Sequence, residues 1–145
     1  MRIYFAGPLF CQAERRFNAA LCARLEAAGL SVFLPQRDGV EAGAVADAAA
    51  RRRAIFATDR DQVYACDAFL FVLDGRVPDE GACVELGLAY AARQLAGRPR
   101  PLVGLMTDGR GAEPGGKLNA MVGEALDAVL DDEDALLAWL GARAA

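Results

Sequence analysis

Glu85 stands out in this 145-residue sequence because of the residues that surround it. It lies between Val84 and Leu86 in a segment of helical pattern whose other positions are almost all apolar or small. Helical side chains lean toward the helix N-terminus, so Glu85 is expected to lie over Gly81 and Ala82. Two such small residues leave open space above the carboxylate, room that a solvated surface glutamate has no need of. Asp79, six positions earlier, has the type and place of an N-cap, accepting backbone N–H groups at the head of the same helix. That structural role and a role toward a ligand are both open. Asp59 shares a helix face with Ile55, Phe56 and Val63, with Gln62 beside them, and an acid on an apolar stripe is either partnered or functional. Tyr4, in the first apolar run, reads first as a core aromatic. These carboxylates matter more because the chain contains no histidine and only one lysine, Lys117. Ser-His-Asp and Cys-His catalysis and His-ligated zinc or copper are thereby excluded, which leaves nucleophilic and acid–base work chiefly to carboxylates.

The elements that must position these residues alternate regularly. Strand patterns are expected at 2–6, 31–34, the continuous apolar run 68–73, 102–106 and, more weakly, 128–130. Helical patterns fall at 12–28, 45–65, 80–95, 118–125 and 133–141, with polar or Gly-rich stretches at 36–43 and 107–116. This order predicts an α/β fold: a sheet of four to five mainly parallel strands, with helices on both faces, in one domain spanning 1–145. Ligands of such folds bind beyond the carboxyl ends of the strands. The loops to inspect therefore follow Ala6, Leu34, Leu73 and Met106, and the segment from Asp74 to Gly87 lies in that position.

Composition narrows the function further. Net charge is −4, and the one basic cluster, Arg51-Arg52-Arg53, reads as a solvated helix face, so no nucleic-acid partner is expected. No apolar run approaches the ~20 residues of a membrane span, and the N-terminus lacks a cleavage-site pattern, so no membrane association is expected. Cys11, Cys22, Cys66 and Cys83 are scattered and read as reduced thiols, which makes a cytoplasmic location the expectation. Neither a dinucleotide fingerprint nor a P-loop is present.

Four separated pieces of the chain, in order, resemble the nucleoside 2-deoxyribosyltransferase family. They are Ile3-Tyr4-Phe5-Ala6-Gly7-Pro8-Leu9-Phe10, then Asp59 eight residues before Asp67. Pro78-Asp79-x-Gly81-x-x-x-Glu85-x-Gly87 follows, with Ala89 two residues on, and Leu118-Asn119-Ala120-Met121 comes after the fourth strand. The resemblance implies a flavodoxin-like, doubly wound sheet and a covalent mechanism. Glu85 matches the nucleophile that attacks C1′ of a 2′-deoxyribonucleoside, and a second base then displaces it with overall retention. Asp79 matches the residue that binds the sugar hydroxyls. Asp59 matches the one that contacts the base and manages its proton, and Tyr4 a tyrosine bonded to the nucleophile. Gly7 and Gly81 join the substrate-binding set, and Gln36 falls near a base-contacting glutamine in a variable loop. Asn119 and Met121 match residues that reach a neighbouring subunit's pocket, implying a homo-oligomer with shared active sites. The implied partners are nucleosides and free nucleobases, with no organic cofactor and no metal.

A sister class, the nucleoside 5′-monophosphate N-glycoside hydrolases, shares the frame around the glutamate. Those enzymes need donors for a phosphate, and the loop Ala6-Gly7-Pro8-Leu9-Phe10 is apolar and nearly without them. Arg76 and Arg110 are the charges that keep the hydrolase reading open. A non-catalytic nucleotide-binding protein on the same fold is the third reading.

Overall fold

The computed structural model describes residues 1–41, 43–97, 99–108 and 118–144. In chain order the elements are β1 (Arg2–Ala6), α1 (Gln12–Ala27), β2 (Ser31–Phe33), α2 (Pro35–Asp38), α3 (Ala48–Ala65), β3 (Ala68–Val72), α4 (Glu80–Ala96), β4 (Leu102–Leu105), α5 (Ala120–Gly123), β5 (Ala128–Leu130) and α6 (Glu133–Ala144). The five strands form one sheet in the order β2-β1-β3-β4-β5, every adjacent pair parallel. That is the flavodoxin-like arrangement, whose strand order reverses between β1 and β3.

Alternation along the strands sorts the core into two layers. Ile3, Phe5, Leu70, Val72, Val103 and Leu105 face Leu21 and Leu25 of α1 and Leu136 and Leu140 of α6. Tyr4, Ala6, Phe69, Phe71 and Leu73 face the other way, onto Val63 of α3 and Ala82, Leu86 and Ala89 of α4. β3 is buried along its whole length, as its continuous apolar run requires of a central strand. Tyr4 belongs to the second layer, and Asp59 and Glu85 lie on α3 and α4, the helices that pack against it.

Four expectations need correcting. α3 starts at Ala48, where the Asp47 side chain accepts from the Ala50 amide, so the stretch before it is loop. The polar stretch after β2 contains a single helical turn, α2, begun by Pro35. The apolar stripe around Asp59 is not a core face: Ile55 and Phe56 are 38% and 56% exposed, and Val63 is the buried residue of α3. The end of α3 is instead anchored by Arg100, which is buried and donates to the carbonyls of Val63 (3.0 Å) and Tyr64 (2.7 Å). An arginine there satisfies last-turn carbonyls that no helical amide can reach. The helix expected over 118–125 is only the four-residue α5. Most of the Gly-rich loop, with Arg110 and Lys117, lies outside the described residues.

Cys22 and Cys66 are buried, Cys83 is half-buried, and exposed Cys11 caps α1, all as free thiols. Arg51, Arg52 and Arg53 are exposed, as a solvated face should be. Among the described residues no helix is long and apolar enough to cross a membrane.

Gly7 shows how tightly the first loop is set against the sheet. Its φ is +153°, and a Cβ there would lie 3.0 Å from the Val72 Cβ and 3.2 Å from the Val72 carbonyl oxygen. The backbone thus passes close over the end of β3, in a conformation that favours glycine, and a Cβ there would require Val72 to give way. Gly7→Ala should destabilise the protein by about 1–3 kcal/mol in chemical denaturation. A midpoint equal to that of the wild type would contradict this close approach.

Candidate active site

Tyr4 and Glu85 meet at the centre of the second layer. The Tyr4 hydroxyl donates to Glu85 Oε1 at 2.8 Å, linking β1 to α4 across 81 residues of sequence. Tyr4 is fully buried, whereas Glu85 is only partly so. The small residues expected to open space above its carboxylate are Ala82, which is buried against the sheet, and Gly81, which is exposed. A Cβ at Gly81 would come within 3.1 Å of Asp79 Oδ2.

Asp79 is the N-cap of α4, its Oδ2 accepting from the Ala82 amide at 2.8 Å. This leaves its other oxygen for a second partner. Asp59 is half-buried on α3, near enough for its charge to act on both Tyr4 and Glu85. The charges of Asp59 and Asp79 thus both bear on Glu85, which the Tyr4 phenol contacts directly.

Burial governs the ionisation of this group. It pushes the Glu85 carboxyl up to about 7; the Tyr4 hydrogen bond opposes the rise, and the Asp59 and Asp79 charges add to it. Burial alone lifts Asp59 to about 6. The Tyr4 phenol is driven far above its usual range, first by burial and then by the Glu85 and Asp59 charges. Tyr4 therefore stays protonated and acts as a donor, while the two acids titrate near neutrality as an interacting pair.

The remaining predicted residues lie around this centre. Gln36, on α2, accepts from Asn18 Nδ2 (3.3 Å) and donates to the Arg15 carbonyl (2.8 Å), so its amide bridges to α1. It keeps one amide hydrogen and a carbonyl lone pair for other partners. Asn119 is exposed and caps α5, its Oδ1 accepting from the Met121 amide at 2.9 Å. Met121 is 82% exposed. With Cys83, Leu86, Gly87 and Tyr90 it lines an apolar groove of ≈ 430 Å³ between α4 and α5. Neither residue makes a hydrogen bond to Glu85, Asp59 or Asp79 of its own chain among the described contacts.

Sequence reasoning missed two contributors. Asn18 is buried and donates to the Pro8 carbonyl (2.9 Å) as well as to Gln36, tying the loop after β1 to α1 and α2. Its helical spacing with Leu21, Cys22 and Leu25, all buried, was the available signal. Glu14 was the other. Its Oε2 accepts from the amides of Phe10 (2.7 Å) and Cys11 (2.8 Å), which closes a capping box at the head of α1.

The doubly wound sheet and the carboxylate cluster near its strand ends define a class: an α/β protein with a hydrogen-bonded carboxylate–phenol pair near the topological switch point. A sequence profile described as Nucleoside 2-deoxyribosyltransferase matches residues 3–133. The chain belongs to the nucleoside 2-deoxyribosyltransferase family, which makes it an enzyme acting on N-glycosidic bonds. Comparison with curated proteins gives no match. Among solved structures it is similar to a conserved protein from Enterococcus faecalis, with 30% identity, a TM-score of 0.80 and coverage of 99% of this chain and 98% of the other. The 2-deoxyribosyltransferase of Bacillus psychrosaccharolyticus shares the fold, with 20% identity, a TM-score of 0.73 and coverage of 94% and 90%. So does the CMP N-glycosidase of Clostridium botulinum, with 17% identity, a TM-score of 0.56 and coverage of 97% and 98%.

The raised pKa of Glu85 has a consequence for stability. Its folded value, about 7, exceeds the ordinary 4.5. The stabilisation it contributes is therefore complete below the unfolded value and is lost as pH rises through about 7. Ionised Glu85 costs the fold on the order of 3 kcal/mol. Glu85→Gln should melt well above the wild type near pH 8 and close to it near pH 5. A difference in Tm that does not change with pH would contradict the buried-carboxylate account.

Proposed function

We propose that the protein transfers 2-deoxyribose between nucleobases, with Glu85 as the nucleophile and a deoxyribosyl ester of Glu85 as the intermediate. The observation that carries this reading is the 2.8 Å bond from Tyr4 to Glu85 Oε1. It occupies one carboxylate oxygen and leaves Oε2 to attack C1′. In the first step the Oε2–C1′ bond forms as the C1′–N bond breaks. The departing base takes its proton from Asp59, which is half-buried and titrates near 6, so a protonated fraction persists near neutrality. In the second step a nitrogen of the incoming base attacks C1′, its proton passes to Asp59, and Glu85 leaves as the carboxylate. Two inversions give retention. Asp79 offers its uncapped oxygen to the sugar hydroxyls, Gly7 and Gly81 leave room for the ring, and Gln36 faces the base with its spare amide hydrogen.

An uncharged nucleoside suits this site better than a 5′-monophosphate. The amides of Phe10 and Cys11, the donors a phosphate would seek in the loop after β1, are already taken by Glu14. A carboxylate thus stands where a dianion would have to bind, and Asp59, Asp79 and Glu85 add to the repulsion. Asn119 and Met121, exposed beside the apolar groove, complete the site of a neighbouring copy, so the working form is a homo-oligomer. A cytoplasmic role in nucleoside salvage fits this chemistry.

Incubating 2′-deoxyinosine with adenine should yield 2′-deoxyadenosine, with inosine 5′-monophosphate left intact in a parallel reaction. Glu85→Ala should lower the rate by more than ~1000-fold while the fold persists. Release of free deoxyribose with no exchange, whatever base is added, would replace transfer by hydrolysis. The shared site has its own test. Asn119→Ala should be impaired, and mixing it with inactive Glu85→Ala subunits should restore part of the activity. Mixtures no more active than their components would mean that each chain builds its site alone.

A further inference from the structure

The Tyr4 ring lies between two phenylalanines. In the sheet register Tyr4 pairs with Phe33 on β2 and with Phe69 on β3, so all three rings stand side by side on the same face. The Tyr4–Phe33 centroids are 5.6 Å apart with an interplanar angle of 18°, and the Tyr4–Phe69 centroids 5.7 Å apart at 7°. Phe71 then meets Phe69 edge-on at 6.5 Å and 82°. A core position would be filled as well by Leu or Val, and neither would fix the plane of its neighbour. Here both faces of one ring are covered by nearly parallel rings, and that ring alone carries a polar atom aimed at the carboxylate.

We propose that Phe33 and Phe69 are positioning residues for the nucleophile, clamping the Tyr4 ring so that its hydroxyl stays on Glu85 Oε1 and Oε2 is the oxygen that reacts. The assignment of a reacting oxygen rests on the deoxyribosyl-transfer reading; the clamp itself does not. Between two faces the phenol cannot tilt, and a hydrogen bond weakens steeply once its donor leaves the line to the acceptor. The hydroxyl is needed twice in the proposed cycle. Before attack it favours the ionised carboxylate. In the second half-reaction it stabilises the charge that returns to the carboxylate as the C1′–O bond breaks. Replacing either phenylalanine by an aliphatic residue opens one face of the ring and lets the hydroxyl swing away.

The surroundings make this separable from general packing damage. The titratable groups facing Glu85 are Tyr4 from β1, Asp59 from α3 and Asp79 at the head of α4, with the Cys66 thiol close to Tyr4. β3 and β4 carry no titratable side chains. An effect of Phe33 or Phe69 on Glu85 that requires the Tyr4 hydroxyl must therefore pass through it.

The test is a direct titration of Glu85 by carbon-13 NMR of glutamate-labelled protein without substrate, the resonance identified by its loss in Glu85→Gln. Tyr4→Phe should raise the Glu85 midpoint by about one pH unit. Phe69→Leu and Phe33→Leu should each raise it by part of that amount, and neither should shift it further when combined with Tyr4→Phe. The clamp is overturned if the folded Phe variants titrate at the wild-type midpoint, or shift it equally with and without the Tyr4 hydroxyl. Should Phe69→Leu fail to fold, Phe33→Leu on the edge strand β2 decides the matter by the same criteria. Because no turnover is involved, a protein that exchanges no bases but shows the Tyr4-dependent shift would retain the clamp and lose the transfer reading.

Discussion

A carboxylate that attacks carbon has to be ionised, yet the position of Glu85 in the fold works against ionisation. It is largely enclosed and has two further carboxylates nearby, both of which favour the protonated acid. The one described group that acts the other way is the Tyr4 hydroxyl, 2.8 Å from Oε1. The structure therefore depends on bringing a residue of the first strand to a residue 81 positions later with the precision of a hydrogen bond. Parallel pairing of β1 with β3 and the packing of α4 on that sheet supply this precision.

The surrounding features can be ordered by how they serve that contact. Gly7 lets the loop after β1 pass close over the end of β3, and Asn18 ties the same loop to α1 and α2. Asp79 starts α4 at a defined residue, which sets the rotation of Glu85 about the helix axis. Arg100 holds the last turn of α3, and with it the helix that carries Asp59. Glu14 closes the head of α1 with two amide bonds and excludes other anions from them. Asn18, Arg100 and Glu14 need not touch a substrate. Together they leave a site of negative charge, suited to a neutral ligand that develops positive character in reaction, as an oxocarbenium-like sugar does.

Much of this was legible in the sequence. Apolar runs marked all five strands, and β1 and β5 match the expected ranges residue for residue. The N-cap position of Asp79 could be read because it depends on local spacing, and the same spacing singled out Glu85. What could not be read depends on tertiary placement. Ile55 and Phe56 have the spacing of a buried stripe, but α3 turns them outward, and periodicity alone does not tell a core face from an exposed one. The stacking on Tyr4 needs strand register, because Phe33 and Phe69 are distant in sequence and meet only across the sheet. Asn18 was hidden for a related reason: its partners lie on the loop after β1 and on α2, and only the folded chain brings them together.

The central claim is that Glu85 becomes covalently attached to the sugar. Intact-mass spectrometry after rapid acid quench of the enzyme mixed with 2′-deoxyinosine, without an acceptor base, tests it most directly. The account predicts a mass gain of one deoxyribosyl unit per chain, mapped by proteolysis to the peptide containing Glu85 and absent from Glu85→Gln. Turnover with no adduct at any quench time, and inversion at C1′ in the product, would contradict it.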